Sequence, residues 1–521
     1  MPDFLSCVRL VSSRVALCLT ALAGVLVVAC GGAEPPAADA AARRHLLIVL
    51  DGLRPDYVRP SLMPALYEFG RRGVLMTRHH AVYPTVTRVN ASSISTGSYP
   101  ETHGLLGNSV FFPTVDSARF LSTSERANLL RVEDVESDRL LTATTLGEVV
   151  QAAGERLLVM SAGSSGSSYL LNHTSAGGAI LHYDYGRPNE LHSQALERLG
   201  AVPEADTPNH ARNRWIVDAF LEVGLPEINP TVTLMWLSDP DTTAHQHGVG
   251  HPTTVEALFR LDAEIQRIHD GLSAAGLLDT TNVWVTSDHG FSEHTGSVDL
   301  ESLLSPFTGV LEDGSPSVIA GAGAIYVRSD EETTVPAIVR SLQAADGVGA
   351  VFSQAAAPGA NEGSVPGTLS FDLIRWDHAR SAQIHYSPDW TDRVGDYGFA
   401  GTTAQGGTAG HGSSSPYDIH NTLVAFGPDL REGAEIGVPT GNVDFAPTFL
   451  HLLGLEVPGS MTGRVMYEAL RDGPDPDDVV VETRELRVEN TDGSYALTAA
   501  ISEVNGHTYL DFTTVERGSA P

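Results

Sequence analysis

Along the chain, short apolar runs alternate with stretches of helical periodicity. The runs at 46–50, 157–160, 232–237, 283–286 and 422–426 read as strands, since they are short, β-branched or leucine-rich and bounded by turn formers. Between them, apolar residues at three- and four-residue spacing predict helices over 63–72, 145–153, 211–223, 255–275 and 443–453, with Gly or Pro close by as stops. Such alternation implies an α/β fold with a mostly parallel central sheet and helices on both faces. Between 290 and 410 the pattern changes: a strand at 323–328, a helix over 335–345 and a strand at 348–352 suggest a small β-α-β insertion acting as a cap, followed by a Gly, Ala and Pro loop over 353–368. After Gly473-Pro474-Asp475-Pro476 the tail to Pro521 reads as three short strands, and no internal repeat is found.

The first thirty residues carry another signal. Arg9 and Arg14 precede an apolar stretch at 15–28 that is too short to span a bilayer comfortably, and Val27-Val28-Ala29-Cys30 closes it. That ending resembles a bacterial lipobox, which implies lipidation of Cys30, a mature chain anchored to a membrane of the cell envelope, and a tether over 31–43 rich in Ala, Gly and Pro. A plain signal peptide or retained anchor is the alternative. Expected boundaries are therefore a signal over 1–29, the tether over 30–43, a catalytic domain over 44–472 with its cap near 300–405, and a β-rich extension over 473–521.

Composition narrows the partners. With 521 residues, 42% of them apolar, the chain has ample material for a large core. Against 64 acidic residues stand 32 basic ones, all arginine, for a formal charge of -32. That field argues against a nucleic-acid polymer, and a phosphate handled here must be neutralised by bound metal or by a few placed arginines. Cys7, Cys18 and Cys30 are the only cysteines, so cleavage before Cys30 leaves no pair for a disulfide and no thiolate for a metal site.

In parallel sheets ligands bind beyond the carboxyl ends of the strands. There stand Asp51, then Asp239 and Asp241 with His245, then Asp288 and His289. Carboxylate and imidazole suit a zinc-like ion. A lone Asp at a strand end is ordinarily a turn former or helix cap, but three acidic strand ends, two with histidines, are poorly explained that way.

LIVLDGLRPD, YPTVTRVNASSISTGSYPETHGLLGN, DPDTTAHQHG, VTSDHGF and GHGSSSPYDIHNTLVAFGP follow one another in the order found in the alkaline phosphatase superfamily. The chain most resembles its nucleotide pyrophosphatase/phosphodiesterase branch, over about 46–455. The resemblance implies two divalent ions, most readily zinc: one held by Asp241, His245 and His411, the other by Asp51, Asp288 and His289, with Thr87 beside the second as the nucleophile. It also implies that Asn108 donates to a non-bridging phosphoryl oxygen. Two cations close together can hold attacking and leaving oxygens in line, which gives the spacing a mechanism.

The expected activity is zinc-dependent hydrolysis of a small phosphoester, as a phosphodiesterase, through a phosphothreonine at Thr87. Alternatives on the same scaffold are a phosphonoacetate-hydrolase-like enzyme, whose pattern Asn90 fits equally, and a phosphomonoesterase; a sulfatase is disfavoured by Thr87-Arg-Val-Asn at the nucleophile position. A non-catalytic envelope binding protein requires a missing ligand, and none is missing. One departure bears on substrate choice: relatives usually place Phe after the threonine, to stack on a nucleobase, and this chain has Arg88. Arg88 either pairs with a substrate anion or packs its stem with its head in water, and Tyr169 or Tyr183 is the alternative aromatic platform. His79, His80, His247 and His251 read as solvated, Asp239 as a turn residue or an acceptor orienting a ligand imidazole, and 161–168 as a substrate-pocket loop.

Overall fold

A computed structural model describes residues 43–136 and 140–518; the signal, nearly all of the tether, and Cys30 lie outside them. The apolar run after Arg43 becomes the strand Arg44–Leu50, buried from His45 onward. Its side chains alternate between two cores: Leu47 and Val49 enter one cluster, Leu46, Ile48 and Leu50 the other. With five consecutive apolar residues, Leu46 to Leu50, the strand is thus buried on both faces, as parallel sheets require.

From one edge the central sheet runs Ala434–Ile436, Val74–His80, His420–Phe426, Thr281–Thr286, Arg44–Leu50, Val232–Leu237, Leu157–Ser161, Gly178–His182, Tyr185–Arg187. The block from Thr281–Thr286 to Gly178–His182 is parallel throughout. His420–Phe426 runs antiparallel to both its neighbours, and Tyr185–Arg187 pairs antiparallel in a hairpin. The sheet is therefore mixed at its flanks and parallel at its centre. Strands Val74–His80 and Gly178–His182 carry His, Arg or Gly among their apolar residues, which weakened their pattern in the sequence.

Helices cover both faces. The expected helix at 145–153 forms as Leu146–Ala152 behind a capping box, in which Thr145 accepts from the Glu148 N–H at 3.2 Å and Glu148 accepts from the Thr145 N–H at 2.8 Å. The one at 211–223 is α over His210–Ala219 and widens to a π turn over Phe220–Gly224. Thr87–Thr96 is buried at every residue except Arg88. Some of its hydroxyls bond back within the helix: Ser92 donates to the Arg88 carbonyl and Thr96 to the Ser92 carbonyl. Gly97 ends this helix at φ 58°, where a β-carbon would stand 2.9 Å from Pro447, so the position requires glycine on both counts.

Within the insertion, Ala324–Val327, Glu331–Ala344 and Val348–Ser353 form the strand, helix and strand, and Ile384–Pro388 lies between the two strands, antiparallel to each. The C-terminal strands Val481–Glu489, Tyr495–Val504 and His507–Arg517 are 9, 10 and 11 residues long, longer than expected, and form one antiparallel sheet. They pack on the rest of the chain through Thr513 N–H to the Ser414 carbonyl and Tyr495 Oη to the Gly349 carbonyl. His79 and His80, expected to be solvated, are 1% and 2% exposed, because they end an interior strand over which the tail strands lie.

Candidate active site

Because the central strands are parallel, their carboxyl ends deliver Asp51, Asp241 and Asp288 to one edge of the sheet. Asp51 directly follows Arg44–Leu50; Gly52, at φ 72° where a β-carbon would stand 3.0 Å from Phe291 and 3.2 Å from Asp241, makes the turn and donates its N–H to Asp288 Oδ1 at 3.1 Å. Asp241 and His245 lie one turn apart on the helix Asp241–His247, so both face the same way. His411 arrives on the loop after Ala409–Gly410, which Asp418 holds by accepting from the Ser413 N–H and hydroxyl at 3.0 and 2.6 Å.

Two groups result. Asp241, His245 and His411 offer one atom each, all within 4.8 Å of one another, and so do Asp51, Asp288 and His289. The second group is buried, while His245 leaves the first open to solvent at 43% side-chain exposure. The groups touch through the stacked rings of His289 and His411, 3.4 Å between centroids. Thr87 begins its helix beside them, with Oγ1 3.4 Å from His289 Nε2.

Every imidazole of the pair of groups is oriented alike. The Nδ1 atoms of His245, His289 and His411 lie 2.9, 2.9 and 2.8 Å from the carbonyls of Ala409, Gly290 and Thr85. A carbonyl only accepts, so each Nδ1 carries the proton and each Nε2 presents its lone pair to the carboxylates. Facing them, Asp51 Oδ1, Asp241 Oδ1 and Asp288 Oδ2 are buried without a hydrogen-bond partner. Burial and the charges of Asp288 and Asp241 drive the Asp51 carboxyl well above its ordinary range. Against burial, Asp288 raises His289 and Asp241 raises His245, whereas burial and His289 lower His411 to about 4. The rise at Asp51, His289 and His245 reports crowded negative charge, the surroundings of a site that takes cations. Oxygen and imidazole donors in three-plus-three grouping, with orphaned carboxylate oxygens, fit two divalent ions.

Several supporting residues were not singled out from the sequence. Trp236, wholly buried on its strand, donates Nε1–H to Asp51 Oδ2 at 2.9 Å and leaves Oδ1 for the site. Asn442 donates to the Asp288 carbonyl and to Asn90 Oδ1, both at 3.0 Å. Asn90 itself accepts from the Val82 N–H and donates to the Val82 and Val86 carbonyls, so it fixes the turn into Thr87 without facing the site. In Asn108, Oδ1 accepts the Arg88 N–H at 3.0 Å, which leaves its amide NH2 free to donate. Asp239 touches no imidazole: it accepts from the Thr243 hydroxyl at 2.7 Å and from Asn213 at 3.1 Å, the turn role. His251 caps the next helix, and His247 stacks on it.

Two cavities flank the groups. One, about 470 Å³, is lined by Asp51, Thr87, Arg88, Tyr183 and Arg212 and by Ala162 to Ser164 of the serine-rich loop. Arg88 Nε is buried there without a partner, while the Arg212 guanidinium lies 4.4 Å over the Tyr183 ring. Tyr169 is buried, its hydroxyl donating to Glu133, and is no platform. The other cavity, about 290 Å³, runs from Asn108 and His411 to Gly323 and Tyr386 of the insertion.

An α/β sheet with paired acid-imidazole triads at its carboxyl edge is the architecture of the alkaline phosphatase superfamily. More narrowly, residues 45–396 match the type I phosphodiesterase / nucleotide pyrophosphatase family, and the chain belongs to that family. It is 24% identical to mouse ectonucleotide pyrophosphatase/phosphodiesterase family member 1 over 79% of its own length but only 40% of that protein's. With the mouse bis(5'-adenosyl)-triphosphatase enpp4 it shares 24% identity over 82% of this chain and 80% of the relative. Among solved structures, murine ectonucleotide pyrophosphatase/phosphodiesterase 5, an inactive variant in complex with AMP, superposes with a TM-score of 0.57 at 18% identity, covering 82% of this chain and all of that one.

Proposed function

We propose that the chain hydrolyses phosphodiester bonds of small substrates at two zinc ions, one held by Asp241, His245 and His411 and the other by Asp51, Asp288 and His289. The observation that carries this reading is the convergence of three partnerless buried carboxylate oxygens and three Nε2 lone pairs beside the Thr87 hydroxyl. When bound, the ions supply Lewis acidity, making the threonine hydroxyl easier to deprotonate and offsetting charge on phosphorus-bound oxygens. Thr87 Oγ1 attacks phosphorus and the bond to the leaving alkoxide breaks, that oxygen receiving the proton Thr87 loses. The Asn108 amide donates to a non-bridging oxygen as charge builds on it. Water then attacks the phosphothreonine, restoring the Thr87 hydroxyl and releasing the monoester. A relative's threonine-to-alanine variant is named as inactive, which supports a nucleophilic threonine here.

Arg88 favours substrates carrying an extra negative charge. Its guanidinium borders the cavity at Thr87 and Asp51, and Tyr183, the remaining aromatic, already has Arg212 against its ring. Small diesters are thus favoured over nucleobase recognition, with monoester or phosphonate turnover as the second reading. We further propose that Cys30 is lipidated and holds the protein at a membrane of the cell envelope. The test of function is zinc-loaded protein on aryl phosphodiester, phosphomonoester, phosphonate and sulfate ester in parallel. The diester is expected to turn over fastest; a fastest sulfate, or no turnover of any ester, contradicts the proposal.

A further inference from the structure

Away from the catalytic edge, His80, His420 and Asp511 also bring one ligating atom each within 4.8 Å of one another. The backbone explains the meeting. His80 and His420 are directly opposed across adjacent antiparallel strands of the central sheet, so their side chains leave the same face, and Asp511 reaches them from the C-terminal strand His507–Arg517.

The local chemistry repeats that of the catalytic groups. His80 Nδ1 lies 2.8 Å from the Thr440 carbonyl, so it carries the proton and Nε2 turns its lone pair to Asp511 Oδ1, 2.9 Å away. Two lone pairs at that separation need a cation between them or a second proton on the ring. The His80 and His420 rings stand 4.7 Å apart at 58°, close to the 5.3 Å and 57° of His245 and His411. Ser502 fixes the other oxygen of Asp511 by donating to it at 2.6 Å. An open cavity of about 690 Å³ beside His420 and Asp511 gives an ion access and leaves room for water as a further ligand. Arg78 is the competitor: one nitrogen stands 3.3 Å from Asp511 Oδ1 and donates to Ser502, while its side chain is one-third exposed and borders the same cavity.

We propose that His80, His420 and Asp511 form a third divalent-cation site, of zinc-like preference, that fastens the C-terminal sheet to the central sheet. Two imidazoles and one carboxylate are a donor set for zinc rather than for calcium or magnesium. The site is structural. It ties down the strand whose Thr513 N–H holds the Ser414 carbonyl, three residues from His411.

The test uses the full chain, stripped by chelation and reloaded with zinc chloride. Crystals of the wild type, measured at the zinc absorption edge, should show an anomalous peak between His80 Nε2, the His420 ring and Asp511 Oδ1. Its position separates it from any peak at Thr87, so it stands or falls independently of the catalytic reading. In solution, Asp511→Asn should bind one zinc fewer than wild type and lose part of the zinc-induced rise in melting temperature, with diester hydrolysis retained. No anomalous density there, or equal zinc content in the two proteins, overturns the proposal and leaves a proton-shared pair of His80 and Asp511. Should Asp511→Asn fail to fold, the wild-type diffraction measurement decides alone.

Discussion

Replacing Trp236 by Phe removes one hydrogen bond from a ligand carboxylate and little else. The indole Nε1–H reaches Asp51 Oδ2 at 2.9 Å, and both groups are buried, so water does not replace the donor. A hydrogen bond to a charged acceptor contributes about 1.5–3 kcal/mol. At about 1.4 kcal/mol per decade, its loss weakens the ion at Asp51, Asp288 and His289 by roughly ten- to a hundredfold, the range found when partners of metal ligands are removed. The ion at Asp241, His245 and His411 keeps its affinity. In metal-free protein the effect is smaller, because burial and neighbouring charge already drive Asp51 toward its protonated form, and the remaining cost is imperfect packing, about 1 kcal/mol. Zinc titration against a competing chromophoric chelator measures the affinities, with urea unfolding of the metal-free protein alongside. Trp284→Phe is the control: that indole is equally buried, on the strand Thr281–Thr286, and its Nε1 has no partner. If Trp236→Phe binds both ions as wild type does, or if Trp284→Phe weakens them equally, the hydrogen bond does not orient Asp51 and the reasoning fails.

Arg88→Ala should reduce kcat/KM for esters bearing a second negative charge roughly tenfold or more, the worth of a charge-assisted contact, and change simple diesters little; equal losses on both contradict a charge-reading role. Stability should fall with acid. Burial lowers His45 to about 4 and His79, His103 and His385 to about 3, so between these values and about 6.5 the unfolded chain binds protons the folded chain refuses. The stability they contribute is complete above pH ~6.5 and is lost as pH falls, by about 1 kcal/mol per imidazole from pH 6.5 to 5.5, so urea midpoints must drop over that interval. Mass spectrometry of the mature N-terminus from a lipidating cell should find a diacylated Cys30, and an unmodified chain starting elsewhere rejects the anchor.

The central strands were legible because each centres on a short run of consecutive apolar residues, and the polar residues just beyond them stood out for the same reason. Asp51, Asp241 and Asp288 needed only the rule that ligands gather at the carboxyl edge, which the parallel block at the sheet centre obeys. Trp236 was not legible: in a run such as Val232–Leu237 an indole that holds a carboxylate looks like one that fills a core. The same blindness misjudged His79 and His80. Paired histidines before a loop look solvated until the distant tail, more than four hundred residues on, places Asp511 and Tyr509 against His80. Asn90 shows the converse, a residue prominent in its motif whose work is to hold the turn before Thr87.

Whether Thr87 takes the phosphoryl group is the most direct test of the account. Zinc-loaded protein is mixed with an aryl phosphodiester, quenched in acid within a turnover, digested and examined by mass spectrometry, alongside Thr87→Ala. The account predicts a peptide carrying the phosphoester adduct on Thr87, absent from the variant, whose rate falls by several orders of magnitude while its metals and fold remain. An unmodified Thr87 peptide throughout steady turnover, or a Thr87→Ala variant that hydrolyses the diester at near the wild-type rate, would contradict it.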